Sequence, residues 1–459
     1  MRIKVESIKY DKPNENLRNF GFKSNYAPPK SEYLNAFEKD LYDMVKNVKF
    51  TKFYDRFINE LNEEVKSIKR SPNLIIPADK TSNYYEINND DYKKLLNDNI
   101  TKSYKKVNKD EVNNINKKAK EIASNLELDS RIQCYAERPA FVYIKDHKEN
   151  FPNTVKCRLI NPAKSEIGKI SKSILDDINK IVREKTKFLQ WRNTDSVIDW
   201  FKNINDKEKC VFLKFDIADF YPSITKKLLT DSINFARNYV EITDEEEEII
   251  MHAKEALLFH ENSAWRKKSV EPGNFDVTMG SFDGSETAEI VGLFILNKLS
   301  LKFGIECVGL YRDDGLALMK NVTGPRAERM KKDLIKIFKT FNLKITAETN
   351  LKGTDFLDVY FNLQNGKYKP YHKPNDVPRY VHAKSNHPPV ILKRIPEMIE
   401  KRVSNLSYDE DEFNKSKRFY ENALKKSGYN VKLKYNSTPS SKQQKRKTRT
   451  AEGGATPRQ

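Results

Sequence analysis

The sequence predicts a mixed α/β (α+β) fold in which antiparallel strands run into carboxylates and a buried helix packs behind them. Three stretches predict it. Lys209–Ile224 reads KCVFLKFDIADFYPSI, and its run Val211, Phe212, Leu213 and Phe215 is nearly continuous in apolar character, as in a buried strand, before it ends on Asp216. Cys307–Met319 reads CVGLYRDDGLALM, in which two apolar runs flank Asp313-Asp314-Gly315. The Asp-Gly pair is a hairpin-turn signal, and a tight hairpin would carry two adjacent carboxylates at its tip. Between them, Glu286–Phe303 is almost wholly apolar through IVGLFIL and predicts a buried helix.

The remaining elements follow in chain order. At 459 residues the chain is long for one domain and implies two or three packed subdomains. Residues 1–70 form an N-terminal region that reads as helical after Ser31, with Leu34, Phe37, Leu41 and Val45, then Phe53, Phe57, Leu61 and Val65, at helical spacing. Residues 71–205 mix short strands and basic helices. Ser71-Pro72-Asn73 breaks the preceding helix, and LIIPADK reads as a short buried strand followed by a turn. Residues 206–365 carry the three diagnostic stretches. Within them, GPRAERMKKDLIKIFKTFNLKIT reads as helix then strand, with Pro325 in the first turn and an apolar stripe through Met330, Leu334, Ile337, Phe338 and Phe341. Residues 366–435 are helical and basic after a Pro-rich stretch. Residues 436–459 are rich in Ser, Pro, Lys, Arg and Gly, cannot bury a core and are expected to be disordered.

Charge narrows the classes of partner. The net charge is +19 and the pI about 9.3, which points to a polyanion, most often nucleic acid. A merely solvated, Lys-rich surface is the competing reading. Cys134, Cys157, Cys210 and Cys307 make no CxxC pair and do not cluster with the six His, which argues against a zinc site and a disulfide framework. No apolar run approaches a membrane span, and the N-terminus lacks the apolar core of a signal peptide. An intracellular protein acting in nucleus and cytoplasm is expected, and the tail's KQQKRKTR run reads as a nuclear import signal, an RNA-binding arm or a solubilising tail.

The topology expected from a strand, a long crossover with a buried helix and a hairpin brings Asp216 beside Asp313 and Asp314. Three acids at one spot repel each other unless cations neutralise them. Oxygen ligands of this kind suit Mg²⁺ or Mn²⁺. Two such ions about 3.5–4 Å apart are the standard clamp for phosphoryl transfer. Asp219 reads as a structural residue facing away from this group.

FDIADFYPSI and YRDD, in this order and 97 residues apart (313 − 216), resemble motifs A and C of reverse transcriptases. The resemblance implies a right-hand polymerase fold of fingers (71–205), palm (206–365) and thumb (366–435), with an RRM-like antiparallel palm sheet backed by helices. It implies an RNA-directed DNA polymerase with two Mg²⁺ or Mn²⁺ ions, an RNA template, a DNA primer and deoxynucleotides. Asp216, Asp313 and Asp314 become the catalytic metal ligands, assisted by the Ile217 carbonyl. Tyr221 matches the bulky aromatic that occupies the place of a ribose 2′-OH, the handle by which RNA is told from DNA. FVYIKDHKENFPNTVKCRLINPAK is similar to the fingers hairpin, so Arg158 and either Lys145 or Lys148 would meet the triphosphate. Met279-Gly280-Ser281 matches the start of motif B, where Gly280 and Ser281 would approach template and base pair. Phe356 and Leu357 head a strand similar to the primer grip. Lys344 or Lys352 would donate a proton to pyrophosphate.

The ADK segment around Ala78-Asp79-Lys80 and the segment YVHAKSNHPPVILKRIPEMIEKRVSNLS resemble Penelope-like retroelement polymerases, with the likeness running from about Phe37 to Leu433. Two departures stand out. Motif B continues as Phe282-Asp283, placing an acid in a groove expected to hold nucleic acid. No GIY-YIG nuclease pattern follows, so target cutting is expected from a separate endonuclease. The competing functional reading is a catalytically inactive or domesticated nucleic-acid-binding protein on the same fold. An RNA-copying RNA polymerase fits Tyr221 and YRDD less well.

Overall fold

The computed structural model of the protein describes residues 31–49, 56–128, 138–148, 150–162, 164–269, 273–373, 376 and 378–436. Cys134, Phe53, the first 30 residues and the basic tail from 437 onward, KQQKRKTR included, lie outside the described residues.

The centre is a five-stranded sheet. Its order is Ile345–Leu351, Cys210–Ile217, Asp314–Lys320, Val308–Tyr311 and Leu189–Gln190. The first four are antiparallel neighbours, and the last pairs parallel to Val308–Tyr311. The Cys210–Ile217 strand lies between two neighbours, and its run from Cys210 to Leu213 is apolar toward both faces, before Lys214 and Asp216 make one face polar. Leu213, Phe215 and Ile217 point to one face and join the largest core. That core is filled by the buried helix Gly284–Phe303 and the helix Glu166–Thr186, with Lys226–Ala236 and Gly324–Thr340 against them. Cys210 and Phe212 point to the other face. There they meet a second core built on Trp191, Phe201, Phe356 and Phe361.

Gly284–Phe303 shows no polar stripe because it is buried nearly all round, as its sequence predicted. The predicted helix-then-strand unit forms as Gly324–Thr340 and Ile345–Leu351, with Leu334 and Phe338 buried and Met330, Ile337 and Phe341 partly so. The N-terminal helices Glu32–Lys46 and Arg56–Arg70 also form. Their apolar stripes contribute no buried residue, however, so helical periodicity here did not imply core. In LIIPADK the strand is Asn73–Pro77, pairing with Tyr84–Asn88, and only Ile76 of its aliphatic run is buried. Among the described residues no helix is long and apolar enough to cross a membrane, and Cys157, Cys210 and Cys307 are free thiols.

Candidate active site

The site lies where the central strand and the carboxylate hairpin end together. Asp216 and Asp314 are direct cross-strand partners. Period-two alternation puts both on the same face as Phe212, Lys214 and Leu316. The hairpin turn itself is Arg312-Asp313, two residues long, between the paired Tyr311 and Asp314. Arg312 takes a left-handed conformation, φ 55°. The Asp313 carbonyl accepts the Ile217 N–H at 2.9 Å, which ties the turn to the end of the central strand.

This corrects one expectation. Asp314-Gly315 is not the turn but the first two strand residues. Gly315 is required by packing instead: a β-carbon there would lie 2.1 Å from the Phe215 ring on the neighbouring strand. Phe215 in turn packs on Phe338, with centroids 5.5 Å apart.

The carboxylates are strained electrostatically. Burial, then the charge of Asp313, raises Asp216 above the ordinary carboxylate range. The same causes push Asp314 up to about 6. Lys80 acts against both shifts more strongly than any other cation. Among the described residues no three His, Cys, Asp or Glu side chains stand close enough to form a closed metal-holding group. The three aspartates are a facing pair plus a turn residue, hence part of a shell. Their chemistry still fits a hard divalent cation: the donors are carboxylate oxygens, partly desolvated and repelling each other. Mg²⁺ commonly takes one or two carboxylates and completes its shell with water and substrate phosphates.

Around them opens a cleft of about 390 Å³ whose lining includes Lys80, Arg158, Tyr221, Gly280, Ser281 and Asp314. Tyr221 follows the sharp turn at Asp219, where φ is 48°, and sits in the short helix Phe220–Ser223. Its hydroxyl is 3.5 Å from Ser285 Oγ, and its ring edge lies 3.5 Å from where a β-carbon on Gly284 would stand. Burial raises its phenol. The charge of Asp219 acts on Lys145. The fingers-like hairpin pairs Phe141–Ile144 with Cys157–Ile160, and Arg158 stands opposite Tyr143. Lys145 follows the first strand and is half-buried; burial, then Arg158, lowers its pKa. Lys148 lies in the connection, close enough to lower Asp216.

The motif B residues behave differently from expectation. Gly280 has φ 124°, and a β-carbon on it would lie 2.7 Å from the Asn161 carbonyl, so only glycine fits. Ser281 Oγ donates to the Thr278 carbonyl at 3.2 Å. Asp283 does not enter the groove. It is 1% exposed, pairs with the equally buried Lys254 and accepts the Ser171 hydroxyl at 2.5 Å. Burying one charge required burying its partner. Sequence reading missed this because Lys254 lies 29 residues upstream.

Phe356 is also corrected. It is 2% exposed and packs edge-on against Trp191 with centroids 5.3 Å apart, so its side chain is core and cannot grip a primer. Leu357, φ 53°, and Asp358 form the outward turn between Gly353–Phe356 and Val359–Asn362. Of the two lysines considered as proton donors, Lys352 is misplaced. Its ammonium donates to the Glu208 and Cys210 carbonyls, at the opposite end of the central strand from Asp216. The Lys344 carbonyl accepts from Ala218, at the correct end.

Lys80 and Lys373 are the functional candidates that sequence reading passed over. Lys80 lay inside the ADK segment, noticed only as a family mark. Lys373 lay in the Pro-rich connection, and its charge acts on Lys80 and Asp314.

The model of the animal helix-turn-helix domain family matches residues 379–438. That segment holds the helices Pro389–Asn405 and Glu410–Lys426, which pack through Val403, Phe413, Tyr420 and Leu424. No curated protein matches the chain in sequence. Among solved structures, telomerase from Candida albicans in complex with a fragment of telomeric RNA is 9% identical, with TM-score 0.52 over 82% of this chain and 68% of that one. Telomerase from Candida tropicalis, truncated from its C-terminal domain, is 14% identical with TM-score 0.45; the match covers 67% of this chain and 65% of that one. The RNA-dependent RNA polymerase of a human picobirnavirus is 9% identical with TM-score 0.45, over 91% of each chain. The Candida albicans likeness shows that this chain shares the fold of that telomerase.

Proposed function

We propose that the protein is an RNA-directed DNA polymerase that adds deoxynucleotides to a primer 3′-OH on an RNA template. One observation carries this reading: Asp216 and Asp314 face each other across two strands, with Asp313 at the adjoining turn, at the edge of a cleft that also holds Arg158 and Tyr221. In this reading the central sheet is the palm, residues 71–205 the fingers and 366–435 the thumb. Asp216, Asp313 and Asp314, with the Ile217 carbonyl, would hold Mg²⁺ or Mn²⁺. When bound, such ions activate the attacking hydroxyl and stabilise the leaving pyrophosphate.

The chain's own residues do the rest. Arg158 presents a planar fork suited to phosphate. Lys145, its ammonium already destabilised by burial, gains from an arriving anion. Tyr221, wedged by Ser285 and the Gly284 backbone, fills the space a ribose 2′-OH would need. Gly280 keeps the loop beside the nascent pair free of side chain. The Ala78-Asp79-Lys80 and Ser385–Pro389 segments favour the Penelope-like kind of retroelement polymerase, acting in the nucleus on cellular DNA ends.

The test is primer extension. Purified protein with Mg²⁺ or Mn²⁺ should extend a DNA primer on an RNA template with deoxynucleotides, and Asp313→Asn should abolish extension. Extension by the variant, or none by the wild type with either metal, defeats the reading. A second reading, a nucleic-acid-binding protein without catalysis, is favoured by the helix-turn-helix match over 379–438. It requires the latter outcome together with retained nucleic-acid binding.

A further inference from the structure

We propose that Lys80 is a triphosphate-binding residue, gripping the outer phosphates of the incoming nucleotide; this rests on the polymerase reading for its substrate but not for its anion. The residue is held in place to an unusual degree. Lys80 has φ 71°, a conformation uncommon for a residue with a β-carbon and characteristic of functional sites. The turn around it is pinned from several directions. The Asp79 N–H donates to the Ile144 carbonyl at 2.7 Å, and the Ala78 N–H donates to Asn83 at 2.9 Å. The buried Asp79 carboxylate lies 3.3 Å from Arg158 Nε, and the Asp79 carbonyl is 3.1 Å from His147 Nδ1. Beyond the turn, Thr81, Asn83 and Tyr85 all donate to one Asp146 oxygen, at 2.7, 2.9 and 2.9 Å.

These bonds clamp the turn onto the hairpin that carries Arg158 and Lys145. None of these bonds engages the Lys80 side chain, which is exposed and lines the cleft beside Arg158, Asp313 and Asp314. Among the described residues Lys80, Lys148 and Lys373 have no ion-pair partner; Lys80 lines the cleft, Lys148 acts by its charge on Asp216, and Lys373 by its charge on Asp314 and Lys80. Lys373 is half-buried, and burial followed by the nearby charge of Lys80 lowers its pKa. Cations brought together against their own repulsion are stabilised by a multivalent anion. A triphosphate supplies one, and the carboxylates beside them would not release Lys80 to a neutral ligand.

The proposal is tested with inorganic tripolyphosphate, titrated by calorimetry into the full chain as wild type, Lys80→Ala and Lys80→Arg. Lys80→Ala should bind about tenfold more weakly, as loss of a charged hydrogen bond does, and Lys80→Arg should recover most of the affinity. In primer extension the deoxynucleotide KM should rise to the same extent while kcat holds. Unchanged tripolyphosphate affinity in Lys80→Ala overturns the proposal. So does a loss confined to primer–template binding, which would make Lys80 a template contact. If tripolyphosphate binds through Lys80 but wild type extends no primer, the polymerase reading falls and the anion site stands.

Discussion

Two hairpin turns in this protein are built alike and live in opposite electrostatic company. Arg312-Asp313 and Leu357-Asp358 are both two-residue turns, each with a left-handed first residue, φ 55° and 53°, and an Asp second. Asp358 is satisfied: Arg402 donates to its carboxylate at 2.7 Å and Thr194 at 3.2 Å. Asp313 instead adds its charge to Asp216 and Asp314 and raises both. The same backbone device thus serves once as a latch between a sheet hairpin and the Pro389–Asn405 helix, and once to hold carboxylates against repulsion. Repulsion that a fold keeps rather than relieves marks the place where a ligand cation is expected.

The comparison breaks most sharply if the two turn aspartates can be exchanged in importance. Asp313→Asn should lower primer extension by at least about a hundredfold, the scale of losing a fixed electrostatic stabiliser. Asp358→Asn should leave kcat within about twofold, because its partners sit away from the carboxylates. Equal losses in steady-state kinetics would erase the distinction.

Tyr221→Ala should raise ribonucleotide incorporation relative to deoxynucleotide by about tenfold or more, read from competing kcat/KM values. Unchanged sugar selectivity would reduce Tyr221 to a packing residue.

The stored repulsion should also be visible without catalysis. A carboxyl whose folded pKa is raised contributes stability below its unfolded pKa, near 3.8, and loses it as pH rises through about 6. In a chelator, Asp314→Asn should therefore melt with the wild type near pH 4 and about 1–3 °C above it at pH 7.5. A variant that is less stable at pH 7.5 would mean that Asp314 is satisfied as Asp358 is.

The smallest effect is expected at the latch. Asp358 and Arg402 are each about half exposed, with side-chain accessibilities of 49% and 58%. A double-mutant cycle on Asp358→Ala and Arg402→Ala should give a coupling below about 1 kcal/mol in thermal unfolding, as exposed pairs do. A larger value would make this turn more than a surface clasp.

Much of the site was legible in the chain. The apolar run into Asp216 predicted a central strand because a strand covered on both faces has no room for alternation. The YRDD stretch predicted a hairpin because turn chemistry is local. The helix at 284–303 was readable because no polar stripe interrupts it. The failures share one physical cause, that they depend on partners distant in sequence. Asp283 looked like an intruder in a groove until Lys254 and Ser171 were found around it. Phe356 looked like a grip until Trp191 covered it. Gly315 looked like a turn glycine, yet the Phe215 ring across the sheet is what requires it. The helical stripes of Glu32–Lys46 and Arg56–Arg70 were readable, but nothing in local periodicity says whether a neighbour arrives to bury them.

By itself, then, the sequence determined the local elements and the identity of the carboxylates, because strand burial, turn propensity and helix periodicity are encoded within a few residues. Only the tertiary structure decided which charges are cancelled and which are left to act. Asp283 and Asp358 found cations; Asp216, Asp313 and Asp314 found one another, with Lys80 turned toward them from more than a hundred residues upstream. Coulomb energies fall with distance in space, and distance along the chain does not report it.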